Sequence, residues 1–414
     1  MQGRGVKGFA LTLPDGIAGS NSIVVVTVLG LTQILAWGSS YYLLAVLAPV
    51  IAADTGWPPA WIVGGVSLGL LAAGFVSPRV GRAIDGYGGR PVLATSAVLF
   101  AVGLCGLAMA PALPFYLASW LVLGLAMGSG LYDAAFSTLG RLYGRSARQA
   151  ITTLTLFGGF ASTACWPLSA ALVSTFGWRG TCLVYAALHL ALALPLYALA
   201  LPRQAAHEIS STRNKLDPAR TAVAGTTRPA RSLFPLLVAT ITLGSAVSAL
   251  MSVHLLSILQ ERGMSLAAAV ALGALVGPAQ VGARAIEMTI GRYHHPVWTL
   301  VASMLLVAAG LGLLWLDQPT IPLALGLYGA GIGIESIARG TLPLALFGAS
   351  GYATLMGRLA MPSLLAQAAS PVLGAVLMQR IGPDGTLTAL LAAALADVVL
   401  VVTLFLRARA IGSI

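Results

Sequence analysis

Charged residues are scarce in this chain. Only 8% of its 414 residues are Asp, Glu, Lys or Arg, whereas 58% are apolar. Soluble globular proteins carry about 25% charged and about 45–50% apolar residues, so the composition excludes a soluble enzyme, a nucleic-acid-binding protein and a disordered scaffold. Cysteine is also rare, and Cys105, Cys165 and Cys182 all lie inside apolar runs. This placement argues against a disulfide framework. The composition predicts a polytopic membrane protein.

Long apolar runs make up most of the chain. A transmembrane helix needs about 20 mostly apolar residues. Twelve such segments can be read, at residues 23–52, 60–80, 91–110, 113–143, 150–176, 181–201, 233–259, 266–290, 297–316, 321–347, 359–378 and 386–406. We therefore expect an all-α fold of 12 transmembrane helices. Its predicted parts are a cytoplasmic N-terminal segment (1–22), a six-helix bundle (23–201), a cytoplasmic linker (202–232), a second six-helix bundle (233–406) and a cytoplasmic tail (407–414).

The distribution of basic residues predicts the orientation in the membrane. If the N-terminus is cytoplasmic, 18 of the 23 Lys and Arg residues fall on the cytoplasmic side and three fall in outer loops. Arg284 and Arg339, the remaining two, lie within apolar runs. Because Lys and Arg concentrate in cytoplasmic loops, both termini are expected in the cytoplasm. This bias also explains the net charge of +11 without a nucleic-acid partner.

An internal repeat relates the two halves. The pattern Arg-Ala-Ile-acid, with Gly-Arg four residues later, occurs twice at an offset of 202 residues. Its positions, with the preceding glycines, are Gly81, Arg82, Asp85, Gly89 and Arg90 in the first half, and Gly282, Arg284, Glu287, Gly291 and Arg292 in the second. Pro167 and Pro371 correspond at a similar offset of 204. The halves are thus predicted to be parallel six-helix repeats, whose solute site lies at the repeat interface.

The first of these loops carries a family resemblance. Gly81-x-x-x-Asp85-x-x-x-Gly89-Arg90 resembles the loop signature of the major facilitator superfamily, although Gly86 stands where that family usually has Arg or Lys. The run from Asp54 to Pro78 is similar to its monocarboxylate and oxalate–formate branch. The resemblance implies a secondary transporter that works by alternating access as a functional monomer in the bacterial cytoplasmic (inner) membrane. Its implied partners are the lipid bilayer and a small-molecule substrate. No cofactor is implied, and a proton is one candidate coupling ion.

Several charges lie inside the apolar segments, where a charge costs about 2.5–3.5 kcal/mol at the bilayer centre. The gate or coupling candidates are Asp133, Arg141, Glu335 and Arg339. We expect an inner gate in which the acids of the fourth and tenth segments pair with Arg82, Arg90, Arg284 and Arg292. Two alternatives are direct substrate binding or proton carriage by Asp133 or Glu335, and a packing role.

The candidates for the substrate cavity are less distinctive. Gln33, Trp37 and Tyr41 recur every four residues and so share one helix face; they either line a solute path or pack between helices. His254, Gln280 and Gln367 are further polar candidates. His189 and Asp397 are interpreted as packing or helix-end residues. No metal site is expected.

Rival functions have weaker support. Gly348-Ala349-Ser350-Gly351 has the form of an intramembrane serine protease motif, but no histidine follows Ser350 to act as a general base. We therefore expect no enzyme activity. The branch resemblance favours a small organic, monocarboxylate-like anion as substrate. The alternative is an efflux pump for a toxic drug-like or metalloid compound. A mid-depth cavity bearing an unpaired Arg would favour the anion, and an apolar, aromatic-lined cavity would favour efflux.

Overall fold

The computed structural model describes residues 20–203, 232–316, 319–412 and 414. Most of the predicted N-terminal segment (to residue 19) and of the predicted linker (204–231) lies outside the described residues. The first half contains α1 (Ser20–Gly38), α2 (Leu44–Thr55), α3 (Pro59–Tyr87), α4 (Gly89–Ala108), α5 (Leu113–Gly130), α6 (Tyr132–Tyr143), α7 (Ala147–Gly159), α8 (Ala161–Leu188) and α9 (Leu194–Ala200). The second half contains α10 (Leu233–Glu261), α11 (Leu266–Gly273), α12 (Val276–Ile290), α13 (Pro296–Trp315), α14 (Ile321–Phe347) and α15 (Tyr352–Ala410).

The described ranges are almost entirely helical and contain no strand. This follows from the composition, since an α-helix satisfies all its backbone hydrogen bonds internally and can therefore lie in lipid. Eight helical stretches within these ranges are long and apolar enough to cross a membrane. The predicted all-α membrane fold is confirmed at this level.

Two of the long stretches change direction at a glycine. Gly177 in α8 has φ 66° and ψ 178°, and Gly382 in α15 has φ 70° and ψ −176°. Glycine adopts this backbone conformation readily because it has no Cβ, and a helix cannot continue through it. Each stretch therefore consists of two helices joined at the glycine. Both glycines lie between segments that the sequence predicted to be separate.

Four predicted segments are interrupted, which hydropathy did not indicate. The first segment is divided into α1 and α2 by residues 39–43, and the eighth is divided into α11 and α12 at residues 274–275. Leu131 separates α5 from α6, and Phe160 separates α7 from α8. All these interruptions lie in apolar sequence, so a search for apolar runs passes over them. Non-helical backbone at membrane depth is tolerated where it lines a cavity or is buried in protein.

The two halves pack together mainly at one end of the molecule. We call this the signature end, because it carries the two repeated loops, and we call the opposite end the distal end. The principal cross-half contacts pair α3 and α6 with α15, and α7 with α12 and α14. At this end a Cβ on Gly81 would collide with the carbonyl oxygen of Ala353, and one on Gly357 with that of Ser77. The backbones of α3 and α15 therefore approach closely because both helices carry glycine at the contact.

Candidate functional site

An aromatic cluster lies where the first segment is interrupted. Trp37 at the end of α1 contacts Tyr41, Tyr42 and Tyr132, with ring centroids 5.5, 6.1 and 5.2 Å away. Tyr42 also meets Trp166 of α8 at 6.2 Å. Adjacent residues of a regular helix point about 100° apart, so the break after Gly38 is what allows Tyr41 and Tyr42 to face the same indole ring. Trp166 is 45% exposed and borders an open groove of about 510 Å³ between α2 and α8.

Arg284 of α12 lies beside this cluster, at the seam between the halves. Its side chain is buried, with Nε donating to the Gly333 carbonyl (3.0 Å) and Nη1 donating to the Thr155 carbonyl (2.9 Å) across the seam. The Tyr132 hydroxyl donates to the same Thr155 carbonyl at 3.2 Å. Among the described residues no carboxylate forms an ion pair with Arg284. The site therefore combines a buried positive charge with aromatic rings and hydroxyls.

Asp133 and Arg339 form an ion pair across the seam. Arg339 Nε lies 3.0 Å from Asp133 Oδ1, and Arg339 Nη2 lies 2.9 Å from Oδ2. The guanidinium also donates to Ser363 Oγ (2.9 Å) and Ser245 Oγ (3.4 Å). The fork of the arginine thus matches both carboxylate oxygens, which is the strong geometry for such a pair. It connects α6 of the first half with α14 of the second.

This pairing corrects the predicted inner gate. We expected the acids of the fourth and tenth segments to pair with Arg82, Arg90, Arg284 and Arg292. That prediction was wrong in its partners, because the carboxylate of Asp133 is taken by Arg339. Arg82 is exposed and donates to its own helix at the Pro78 carbonyl, and exposed Arg292 stacks on the Tyr293 ring at 4.6 Å. Arg90 is half-buried.

The first signature loop nonetheless joins the two halves. Asp85 Oδ2 accepts a hydrogen bond from the backbone N–H of Thr354 in the first turn of α15 (2.8 Å). Such a carboxylate satisfies a free N–H group and is favoured by the dipole of the helix. Arg141 Nη1 donates to the carbonyl of Ile84 (2.8 Å) and to that of Asp85, so it braces the loop. Gly89 packs against the Thr138 side chain.

The second signature loop uses different contacts. Glu287 Oε1 accepts from Thr299 Oγ1 at 2.6 Å, and its Oε2 lies 3.6 Å from His294 Nε2. Arg148 Nη1 of α7 crosses the seam to the His294 carbonyl (2.6 Å). The pKa of His295 is lowered by burial and by the neighbouring Arg148 and His294, which agrees with its Nδ1 accepting the Val297 N–H.

The glycines of the second loop play a smaller part. Gly282 has open space around it, whereas Gly291 packs on the Glu287 carboxyl group. The repeat is therefore visible in the sequence at both loops but is used differently in the two halves.

The distal end carries an ion pair in each half, with the charges exchanged. Asp54 lies two residues beyond the predicted first span. Its Oδ2 accepts hydrogen bonds from Trp178 Nε1 (2.9 Å) and from Arg179. These bonds lower the pKa of Asp54 below its usual value. In the second half Arg262 Nε pairs with Asp384 Oδ1 at 3.0 Å. Each pair lies within its own half.

The residues predicted as cavity candidates differ in their burial and hydrogen bonding. Gln33 is fully buried, with Nε2 donating to the Gly130 carbonyl (2.6 Å) and Oε1 accepting from Trp37 Nε1 (3.2 Å). Of the two alternatives for Gln33, these contacts favour packing between helices in this conformation, because its amide is used inside the first half. His254 Nε2 bonds to the Pro371 carbonyl at 3.0 Å. Gln280 and Gln367 are half-buried, and the backbone of Gln280 packs on Gly333.

Sequence reasoning missed part of the site. Tyr132 and Trp166 complete the aromatic cluster, but they come from α6 and α8 and share no periodicity with Trp37. Asp397 of α15 was interpreted as a packing or helix-end residue; it is indeed buried (1% exposed), but it also lies close to Glu335. Its one available signal was the rarity of acids in apolar runs.

Comparison with known proteins agrees with this architecture. The family model described as Major Facilitator Superfamily matches residues 29–338. The chain is 29% identical to mouse monocarboxylate transporter 11 over 354 residues, covering 80% of this chain and 74% of that protein. It is 34% identical to human monocarboxylate transporter 11 over 155 residues, covering 36% of this chain and 30% of that protein.

Solved structures share the fold at low sequence identity. The proton:xylose symporter XylE has a TM-score of 0.70 at 13% identity, with 91% of this chain and 94% of that chain covered. The human organic anion transporter MFSD10 has a TM-score of 0.70 at 18% identity, with 94% of this chain and 100% of that chain covered. FucP in the outward conformation has a TM-score of 0.69 at 15% identity, with 94% of this chain and 99% of that chain covered. Since the family model spans well over half of its length, the chain belongs to the Major Facilitator Superfamily, as its signature loop predicted.

Proposed function

We propose that this protein carries a small monocarboxylate-like anion across the membrane by alternating access. The observation that carries the proposal is Arg284, a buried guanidinium at the seam without a carboxylate partner among the described residues. Similarity to a monocarboxylate transporter supports the same substrate class. Members of this family are transporters rather than enzymes in general, so we assign no catalytic role.

Arg284 suits an anionic solute for electrostatic reasons. A buried charge is costly unless it is paired, and two carbonyl oxygens compensate a guanidinium less than a carboxylate would. An incoming carboxylate can form the bidentate pair that this fork prefers. The aromatic cluster of Trp37, Tyr41, Tyr42, Tyr132 and Trp166 offers apolar surface for a short hydrocarbon part. The seam is also where parallel-repeat transporters hold their solute.

The asymmetric packing supports an outward-open state. Cross-half contacts concentrate at the signature end, which the charge bias assigns to the cytoplasm. We infer that the protein has twelve spans in two six-helix bundles with both termini cytoplasmic, and that it works as a monomer in the inner membrane. Opening toward the cytoplasm would require breaking the Asp133–Arg339 pair and the Arg284–Thr155 and Asp85–Thr354 hydrogen bonds.

Uptake by proteoliposomes tests the substrate class. Vesicles containing the purified protein are given radiolabelled lactate, pyruvate or acetate, with labelled xylose as a neutral comparison. We expect saturable uptake of at least one carboxylate, which Arg284→Gln abolishes and Arg284→Lys restores only in part, because Lys lacks the planar fork. Arg380→Gln, which changes an exposed distal arginine, serves as the matched control and keeps the wild-type rate. Equal uptake by Arg284→Gln and Arg380→Gln would exclude Arg284 as the anion site.

Efflux of a weakly polar compound is the second candidate. The aromatic cluster and the groove beside Trp166, bordered by Ala45, Val46 and Pro167, favour it because both are largely apolar. Everted vesicles that accumulate a lipophilic dye in their lumen, with no carboxylate uptake in the assay above, would favour this function over the first.

A further inference from the structure

Two acidic side chains lie against the same glycine inside the second half. Asp397 is 1% exposed, and neither of its carboxyl oxygens has a hydrogen-bond partner among the described residues. Glu335 is 8% exposed. A Cβ placed on Gly244 would lie 2.9 Å from Glu335 Oε1 and 3.2 Å from Asp397 Oδ2. The two carboxyl groups therefore meet over the same glycine of α10.

Such a pair cannot carry two negative charges. A buried carboxylate without a hydrogen bond or counterion is strongly disfavoured, and two neighbouring buried carboxyl groups do not both ionise readily. Asp397, whose two oxygens lack hydrogen-bond partners among the described residues, is therefore the member of the pair that holds a proton. Gly244 matters because any larger residue would push the carboxyl groups apart.

The charged and titratable neighbours of the pair are few. Arg339 lies one helical turn from Glu335 on α14, but its guanidinium is bound to Asp133 of the first half. Tyr328 of α14 is the phenol beside Glu335, and Tyr41 of the first half lies next to Tyr328. In this conformation Arg339 is therefore bound to an acid across the seam, and within the part of the chain that the structure describes neither Glu335 nor Asp397 forms an ion pair.

We propose that Glu335 and Asp397 form the proton-binding site that couples transport to a proton gradient, with Arg339 as the switch. While the signature end is closed, Arg339 is held by Asp133 and the carboxyl pair keeps one proton. When that end opens, Asp133 moves away with the first half, and Arg339 is released to neutralise Glu335. The proton then leaves to water on the signature side, so one proton is bound and one is released per cycle. This inference rests on the proposed transport function and names its coupling site.

Counterflow and concentrative uptake separate coupling from transport itself. We expect Asp397→Asn and Glu335→Gln to retain carboxylate exchange in counterflow, because the substrate site is intact. Both variants should lose proton-driven accumulation, reaching only the level of de-energised vesicles. Glu261→Gln, at an exposed acid of the distal end, is the matched control and should accumulate substrate as the wild type does. Wild-type accumulation by Asp397→Asn would overturn the proposal.

An infrared measurement tests the proton site independently of any substrate. A protonated buried carboxyl group has a carbonyl stretching band that disappears when it ionises, and this band can be followed with pH in the purified protein. We expect a titrating band in the wild type and in Glu261→Gln that is absent or shifted in both Asp397→Asn and Glu335→Gln. If carboxylate transport is absent but this band behaves as described, the substrate assignment fails and the proton site stands. An identical band in all four proteins would overturn the proton site.

Discussion

At the scale of single residues, the ion pair of Asp133 and Arg339 joins the two halves with two hydrogen bonds. Both side chains are largely buried, at 19% and 14% exposure. Such a pair contributes little net stability when it forms. Removing one partner, however, leaves an uncompensated buried charge and is strongly destabilising. Its role is therefore best tested by comparing single and double variants.

Asp133→Asn leaves the Arg339 guanidinium without its counterion. We expect a stability loss of about 2 kcal/mol, below the range for fully buried pairs because some solvent reaches this one. The double variant Asp133→Asn/Arg339→Gln should recover part of the loss, since no uncompensated charge remains. Thermal unfolding in detergent measures both effects, with Asp384→Asn at the more exposed distal pair as control. A double variant that is less stable than either single variant contradicts this account.

Asp54 provides the pH-dependent prediction. Hydrogen bonds from Trp178 and Arg179 hold its pKa below the usual value, so the ionised form is favoured in the folded protein. Its contribution to stability is present above the unfolded pKa of about 3.9 and is lost as the pH falls through the lower folded pKa. The Tm difference between wild type and Asp54→Asn should thus be constant from neutral to mildly acidic pH and shrink only in stronger acid. A Tm difference between wild type and Asp54→Asn that grows on acidification would contradict this prediction.

At the scale of helices, the contact between α3 and α15 combines a close backbone approach with a capping carboxylate. Asp85 caps α15 from a different helix through the Thr354 N–H. Under the proposed alternating access, this contact forms only while the signature end is closed, so weakening it is expected to change the balance between the two states more than the stability of the fold.

Asp85→Asn should therefore leave folding largely intact but reduce transport. The amide oxygen can still accept the Thr354 N–H, so only the charge is lost, which is worth about 0.3–1 kcal/mol at a helix N-terminus and corresponds to a roughly two- to five-fold change in the closing equilibrium. Gly81→Val should act in the same direction and more strongly, because its side chain would collide with Ala353. Initial uptake rates, normalised to correctly folded protein, measure both variants. Wild-type rates in Asp85→Asn would exclude this loop from the gate.

The helices also show what a sequence can and cannot predict. Hydropathy predicted long apolar helices because lipid selects for long apolar runs, and α14 matches its predicted segment 321–347. It could not locate the break at 39–43, since Tyr41 and Tyr42 fit an apolar helix as well as a loop. Likewise, the charges of the gate were predicted, but their partners were not, because the pairing of Asp133 with Arg339 depends on how two distant helices meet.

At the scale of the whole molecule, the distribution of basic residues predicts that the signature end faces the cytoplasm. A single cysteine introduced at Ile414, in a background without the three native cysteines, should react with a membrane-impermeant maleimide only in inside-out vesicles. A cysteine at Glu261, at the distal end, should react only in right-side-out vesicles. The reverse labelling pattern would invert the assignment of the signature end to the cytoplasm.

The central claim is that the molecule alternates access to one anion site between its halves. Counterflow tests it most directly: proteoliposomes preloaded with unlabelled monocarboxylate are diluted into a trace of the labelled compound. A carrier that exchanges substrate through a single site produces a transient overshoot of label inside the vesicles, and this is the predicted result. A monotonic approach to equilibrium, or no uptake of label by vesicles whose protein is correctly folded, would contradict the account.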